Sequence, residues 1–202
     1  MLNLRAISIE RVVEYSWVAL GIYFVVGALL SRRAKEPEAA CTRISRLLAG
    51  GLAAVLLFWD TPALATLHQR VFATPRPVQI TGLLITLAGL LLTAAARFYL
   101  GRFWSASVVV KERHELIRAG PYARIRHPIY TGILTALAGT LLVNRELRFA
   151  MALTVVAAVF SYKARSEETL LARELGAEFE QYRRNAGFFL PRFGNSERVA
   201  IP

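Results

Sequence analysis

The stretch GPYARIRHPIYTG, residues 120–132, lies between a basic, aromatic segment and a long apolar run. Each of its two prolines fixes a backbone φ angle and removes an N–H donor. Gly120-Pro121 therefore predicts a turn, and Pro128 predicts the first position of a helix, which the apolar residues 129–143 continue. We expect this stretch to connect a polar loop to a membrane-embedded helix.

Three basic side chains, Arg124, Arg126 and His127, come just before that helix. The first backbone N–H groups of a helix are free, and together with the helix dipole they favour an anion at this end. The same charges are also typical of a loop that holds a membrane helix at the interface. The residues alone leave both interpretations open.

The composition is that of a membrane protein. Of 202 residues, 55% are hydrophobic and only 19% are charged, and the mean hydropathy is +0.41. A soluble domain of this size normally carries more charge and less apolar content. The length predicts a single domain.

The net charge of +11 could indicate a nucleic-acid partner, but the basic residues lie in blocks between apolar runs. That pattern is typical of cytoplasmic loops, and no nucleic-acid-binding motif accompanies it. Cys41 is the single cysteine, and the three histidines are far apart, so no metal-ligand spacing is present. We therefore expect neither a nucleic-acid partner nor a metal.

The apolar runs predict five transmembrane helices in an all-α polytopic bundle, because a span needs roughly 20 apolar residues. Their approximate bounds are 12–30, 47–59, 78–96, 128–143 and 147–162. Small residues at Gly82, Ala88 and Gly89 would let a neighbouring helix approach the third one closely. The link Asn144-Arg145-Glu146 is so short that the last two helices must form a hairpin, and an amphipathic stretch follows at 167–182.

The distribution of Lys and Arg predicts the topology. The strongly basic segments 31–46, 97–127 and the tail from Lys163 all fall on one side of a five-helix arrangement. The positive-inside rule then places the N-terminus outside and the C-terminus in the cytoplasm. This arrangement brings residues 120–132 and the tail to the same cytoplasmic face.

A second polar group follows the fifth predicted helix, in Arg165-Ser-Glu167-Glu168. Arg165 and Glu168 are three residues apart and hence neighbours on a helix. If the hairpin folds back, the two groups form one cytoplasmic pocket from Arg126, His127, Tyr130, Arg165, Glu167 and Glu168. The alternative is a solvated helix end with an ordinary Arg–Glu pair, worth well under ~1 kcal/mol.

Both groups match one family. Arg126-His-Pro-Ile-Tyr-Thr-Gly132 resembles the R-H-P-x-Y-x-G signature of integral-membrane methyltransferases. The segment Arg165-Ser-Glu-Glu168 is similar to their R-x-E-E tail motif, which continues here with Leu171, Gly176, Phe179, Tyr182 and Pro191. The family is that of isoprenylcysteine carboxyl methyltransferase, with phospholipid methyltransferases as relatives, and the resemblance covers about residues 98–193.

The resemblance implies that S-adenosylmethionine binds in a pocket formed by the two motifs. The implied cofactor-binding residues are Gly120, Tyr122, Arg126, His127, Pro128, Tyr130, Glu167 and Glu168. It also divides the chain into transmembrane helices at 1–97 and a catalytic half at 98–202. The glycine-rich turn after a strand that marks Rossmann methyltransferases is missing from the sequence, so that fold is excluded.

The implied reaction needs alignment more than a strong base, since orientation can supply up to ~7–11 kcal/mol. The acceptor is expected to be a lipophilic small molecule or a lipidated group that the bilayer helps to present. For a carboxylate acceptor, Arg165 is the candidate to hold it by bidentate pairing, with Glu168 as the second catalytic residue. An amine or thiol would require Glu167 or Glu168 as base.

Two other functions fit the same layout. Membrane sterol-type reductases share the R-H-P-x-Y-x-G and acidic-tail arrangement but bind NADPH, and they are usually longer. A non-catalytic membrane protein could also retain the fold. The glycine-x-glycine element of phospholipid methyltransferases is not evident before Gly120, which disfavours that branch.

Overall fold

The chain is all-helical in the parts that the computed structural model describes, residues 8–30, 69–70, 72–73, 75–100 and 116–193. The helices are α1 (Ile9–Leu30), α2 (Arg76–Leu100), α3 (Pro128–Asn144), α4 (Leu147–Leu175) and α5 (Ala177–Asn185), with a 3-10 turn at Gly120–Ala123. This confirms the predicted fold class. The predicted helix at 47–59 lies outside the described residues.

Helices α2 and α3 pack through small residues. A Cβ atom added at Gly82 would lie 2.8 Å from the carbonyl oxygen of Gly139, and one added at Gly139 would lie 2.5 Å from that of Gly82. Gly89 packs against α3 in the same way, whereas Ala88 is exposed. Close backbone approach of this kind is the usual way for helices to associate in a bilayer, where apolar burial offers little drive.

Helix α1 lies beside this pair. The Trp17 indole Nε1 donates a hydrogen bond of 3.0 Å to the hydroxyl of Thr140 on α3. Arg97 was predicted to lie in the loop after the third helix, but α2 continues to Leu100 and only 7% of Arg97 is exposed. Its guanidinium packs against Gly27 of α1, where a Cβ would lie 3.0 Å from a guanidinium nitrogen.

The predicted α3–α4 hairpin is present. Arg145 adopts a left-handed φ of 64° and ends α3, and α4 starts at Leu147. The prediction for the end of α4 was wrong, because the helix does not stop at residue 162. No helix breaker stands between residues 163 and 175, so the helix runs on to Gly176, whose φ of 52° ends it.

Two of the described helices, α2 and α4, are long and apolar enough to cross a membrane, and α3 is a shorter apolar helix. In α4 the apolar part is residues 147–162, and charged residues begin at Lys163. We call residues 163–175 the charged half of α4. It extends beyond the membrane-spanning part and carries the second predicted polar group.

Candidate functional site

The motif loop, residues 120–127, has the predicted turn followed by the predicted helix start. Gly120 has a φ of 58°, and Pro121 follows it in the 3-10 turn. Pro128 occupies the first position of α3, directly after His127. Tyr122 is buried, and the hydroxyl of Tyr182 on α5 donates a 2.8 Å hydrogen bond to its carbonyl oxygen.

The C-terminal segment, residues 186–192, pairs with the motif loop through its backbone. The N–H groups of Arg126 and His127 donate to the carbonyl oxygens of Gly187 (2.8 Å) and Phe188 (3.3 Å), and the Gly187 N–H donates to Arg124 (2.9 Å). The Thr131 hydroxyl donates to the Phe189 carbonyl oxygen at 2.8 Å. These hydrogen bonds fix the segment beside the N-terminus of α3.

His127 is the centre of the polar cluster and is 8% exposed. Its Nε2 lies 3.1 Å from Oε1 of Glu168, and its Nδ1 lies 3.6 Å from Oε2 of Glu167. The hydroxyl of Tyr130 donates to Glu167 Oε1 at 2.8 Å, and the Tyr130 ring is parallel to the imidazole. Phe188 packs against the imidazole edge with ring centroids 5.1 Å apart.

Arg126 connects three elements of the site. Its Nε donates a 2.7 Å hydrogen bond to Glu168 Oε1. One of its terminal nitrogens donates to the carbonyl oxygens of Arg183, at 3.1 Å, and Ala186. The guanidinium therefore joins the motif loop to the charged half of α4 and to the end of α5.

The carboxyl group of Glu168 is held in its charged form. Partial burial would raise its pKa, but hydrogen bonds from His127 and Arg126, together with their positive charges, outweigh burial. The net effect keeps the pKa of Glu168 below its ordinary value of 4.5. A carboxylate of low pKa is a weak proton acceptor near neutral pH.

Arg165 does not join the cluster. It is exposed, and Glu168 takes Arg126 and His127 as partners instead. Within the described parts of the chain, the Arg165 side chain has neither a hydrogen bond nor an ion pair. Lys163, one turn before Glu167, lies 3.9 Å from that carboxylate. The structure thus brings together five of the six side chains predicted to form the pocket.

An open cavity of about 950 Å³ adjoins the cluster at Arg126 and Glu168. Most of its lining comes from α5 and the C-terminal segment: Glu180, Arg183, Arg184, Gly187, Phe188, Phe189, Leu190, Pro191 and Arg192. Of these residues, only Pro191 belongs to the two sequence motifs described above. The basic pair Arg183-Arg184 and the aromatic pair Phe188-Phe189 are the features of the sequence that could have indicated this part of the cavity lining.

Among the described side chains, no group of three or more His, Cys, Asp or Glu is placed to hold a metal ion. The polar cluster has only two carboxylates and one imidazole, and these already bind Arg126, Tyr130 and one another. Its chemistry is that of charge pairing and hydrogen bonding.

Comparisons with known proteins found a family and a relative that resemble this chain. Residues 81–173 match the model of the isoprenylcysteine carboxyl methyltransferase (ICMT) family. Over 116 residues the chain is 33% identical to the nickel-cobalt-cadmium resistance protein NccN of Alcaligenes xylosoxydans xylosoxydans, covering 56% of this chain and 52% of that protein.

A solved structure shares the fold. It is that of the eukaryotic intramembrane Ras methyltransferase ICMT, with a TM-score of 0.52 and 21% identity over 78% of this chain and 54% of that one. The chain therefore spans about half the length of each of these two relatives.

Proposed function

We propose that the chain is an integral-membrane methyltransferase that uses S-adenosylmethionine, related to the isoprenylcysteine carboxyl methyltransferase family whose model residues 81–173 match. The observation that supports this most is the juxtaposition of His127, Tyr130, Glu167 and Glu168 in one polar cluster, which opens to a cavity at Glu168. These side chains come from two motifs that are some 40 residues apart in sequence. The fold brings them together where a cofactor could enter.

The groups present suit S-adenosylmethionine, which when bound supplies an electrophilic methyl group. The cavity of about 950 Å³ lies within the range of roughly 300–1,000 Å³ that small-molecule sites occupy. The carboxylates of Glu167 and Glu168 suit an ammonium group and ribose hydroxyls, and the start of α3 at Pro128 suits a carboxylate. Gly120 and Tyr122 would contribute backbone from the neighbouring turn.

Arg126 has a different proposed role from the one implied by the family resemblance. Its donors are used by Glu168 and by two backbone carbonyl groups. We therefore assign it to positioning Glu168 and the C-terminal segment, with Glu168 as the residue that touches the cofactor.

A carboxylate on a lipophilic molecule is the acceptor that fits best. Such an acceptor is already ionised near neutral pH and needs no base, and Glu168, with its lowered pKa, would be a poor one. Arg165 is exposed, lies three residues before Glu168 on α4 and has no ion-pair partner among the described residues, so its planar guanidinium can pair with the acceptor carboxylate at both oxygens. An amine or thiol acceptor would instead depend on Glu167 as base.

The proposed topology places the N-terminus outside and the C-terminus, with the site, in the cytoplasm. The charged half of α4, α5 and the motif loop lie at one end of the bundle, and the positive-inside rule assigns this basic end to the cytoplasm. In this scheme residues 1–97 supply transmembrane helices, and residues 98–202 carry the cofactor and acceptor sites.

Calorimetric titration of the detergent-purified protein with S-adenosylhomocysteine, run beside NADPH, tests the proposal. Saturable binding of S-adenosylhomocysteine alone is expected. Binding of NADPH alone would indicate the sterol-type reductase, for which the family match gives no support. Binding of neither ligand by a sample with a cooperative thermal transition would point to a non-catalytic protein and contradict the proposal.

A further inference from the structure

Two large apolar side chains of the C-terminal region point away from the protein. Leu190 is 78% exposed and Phe193 is 76% exposed. In contrast, Phe188 and Phe189, which precede Leu190 in the sequence, pack against the His127 ring. The backbone here is hydrogen-bonded to the motif loop, so the two side chains are presented from a fixed position. Leu190 and Phe193 are three residues apart, so one short segment presents both, and an apolar patch rimmed by polar residues marks an interaction surface.

The position of Leu190 relative to the membrane follows from two contacts. The carbonyl oxygen of Phe189, its neighbour, accepts a hydrogen bond from Thr131 in the first turn of the apolar helix α3. The same turn is level with the beginning of the charged half of α4, since Lys163 Nζ lies 5.7 Å from the ring centre of Tyr130. Both helices change from apolar to polar at this height, which therefore marks the membrane surface.

Three exposed arginines accompany the two apolar side chains. Arg192 lies between them in sequence, and Leu190, Arg184 and Arg192 all lie at the rim of the open cavity described above. The Arg124 guanidinium lies 5.1 Å from the ring centre of Phe193. Within the described residues, none of the three has an ion-pair partner. The acidic side chains of α5 are engaged elsewhere, Glu178 with Arg118 at 2.8 Å and Glu180 with Arg183 at 2.9 Å.

We propose that Leu190, Phe193, Arg124, Arg184 and Arg192 form an interfacial patch that docks on anionic lipid headgroups of the surrounding membrane. Exposed apolar side chains flanked by arginines are the composition that binds a negatively charged membrane surface. The apolar pair would enter the headgroup region, and the arginines would select acidic lipids. This docking needs only the membrane location of the chain, not methyl transfer.

Fluorescent labels in lipid vesicles test the patch. Cys41 is the only cysteine, so Leu190→Cys in a Cys41→Ser background can carry one environment-sensitive dye. Gln181→Cys, on exposed α5, gives the matched control. The dye at 190 should be quenched by nitroxide-bearing lipids, more strongly in phosphatidylglycerol-containing vesicles than in phosphatidylcholine alone, and the dye at 181 should stay in water. Equal behaviour at both positions would overturn the proposal.

The charge requirement is tested by titrating phosphatidylglycerol into phosphatidylcholine vesicles. Arg184→Gln and Arg192→Gln should each weaken the apparent affinity for the acidic lipid about fivefold. Arg173→Gln removes an exposed arginine of α4 outside the patch and should leave that affinity unchanged. Salt at about 1 M should remove the lipid preference, because charges are then screened within ~3 Å. A preference that persists in both variants would refute the assignment of the arginines.

Discussion

The Nε atom of Arg126 lies 2.7 Å from Oε1 of Glu168, and this contact joins the loop before α3 to the charged half of α4. The two side chains are 11% and 15% exposed. The same guanidinium donates to two carbonyl oxygens at the end of α5. One side chain therefore contacts three separate segments at the candidate site.

Arg126→Gln should destabilise the protein by about 3 kcal/mol, because it leaves the Glu168 carboxylate without its cation in a largely buried position. Thermal or denaturant-induced unfolding of the detergent-purified protein measures this loss of stability. Arg118→Gln is the control, since its pair with Glu178 is 42% and 53% exposed and is worth at most about 1 kcal/mol. Equal losses in the two variants would show that Arg126 is an ordinary surface arginine.

Glu168→Gln should make the protein's thermal stability depend less on pH under acidic conditions. The pKa of Glu168 is lower in the folded protein than its ordinary value of 4.5, so its stabilising effect is complete above that value. The effect is lost as pH falls through the folded-state pKa. Wild-type Tm should therefore fall in that acidic range more steeply than Tm of the variant. Parallel acid limbs would assign the loss to other carboxylates.

Glu168→Ala should also weaken S-adenosylhomocysteine binding sharply at neutral pH. The residue loses the carboxylate that faces His127 and the cavity. Calorimetry at neutral pH separates this effect from stability, provided the sample is folded at the temperature used. Unchanged affinity would remove Glu168 from the proposed cofactor site.

Tyr182→Phe should cost about 1–2 kcal/mol, because it leaves the carbonyl of Tyr122 without its buried hydrogen bond. Burial also raises the pKa of Tyr182 to about 12. That raised pKa stabilises the fold below pH 10, and the effect is lost as pH rises toward 12. Melting curves, with Tyr162→Phe as an exposed control, check both points. Similar melting of the two variants would show that this hydrogen bond contributes nothing.

Gly139→Ala should destabilise the α2–α3 pair by roughly 1–3 kcal/mol, since the added methyl group would overlap the backbone of Gly82. Gly21→Ala is the matched control, because nothing lies within 4 Å of a Cβ at that position on α1. The stability of the two variants can be compared by unfolding each of them in mixed detergent. If Gly139→Ala were as stable as Gly21→Ala, α2 and α3 could move apart enough to accommodate a methyl group without loss of stability.

Arg165→Ala should raise the KM for an acidic acceptor or lower kcat, while the affinity for S-adenosylhomocysteine stays near normal. The physical reason is that Arg165 is exposed and, in the described structure, supports no neighbouring side chain. Arg173→Ala, an exposed arginine two turns further along α4, should alter neither quantity. Loss of cofactor affinity in Arg165→Ala would make the residue part of the cofactor site instead.

The sequence predicted the parts of this structure that have local causes. Pro128 starts α3 because proline is suited to the first helical position. Gly82 and Gly89 lie at the α2–α3 contact because only small residues allow the backbones so close. The proximity of His127 to Glu168 also follows from a hairpin with a short link.

Other features depend on contacts without any local pattern. Residues 163–175 continue α4 because no residue there interrupts a helix, whereas hydropathy indicated an end at Tyr162. Pairing of the motif loop with residues 187–192 uses backbone atoms, which every sequence has. The hydrogen bonds of Arg126 to distant carbonyl groups could not be predicted either, because their acceptors are also backbone atoms.

The backbone pairing of the motif loop has a consequence for biosynthesis. The Arg126 N–H donates to the carbonyl oxygen of Gly187, and the Arg126 side chain binds the carbonyl oxygen of Ala186, which is 60 residues further along the chain. A ribosome therefore makes the loop, the hairpin and α5 before it makes the residues that hold the loop in place. The transmembrane helices can enter the bilayer as they emerge, but the site itself can be completed only after the C-terminal segment has left the exit tunnel.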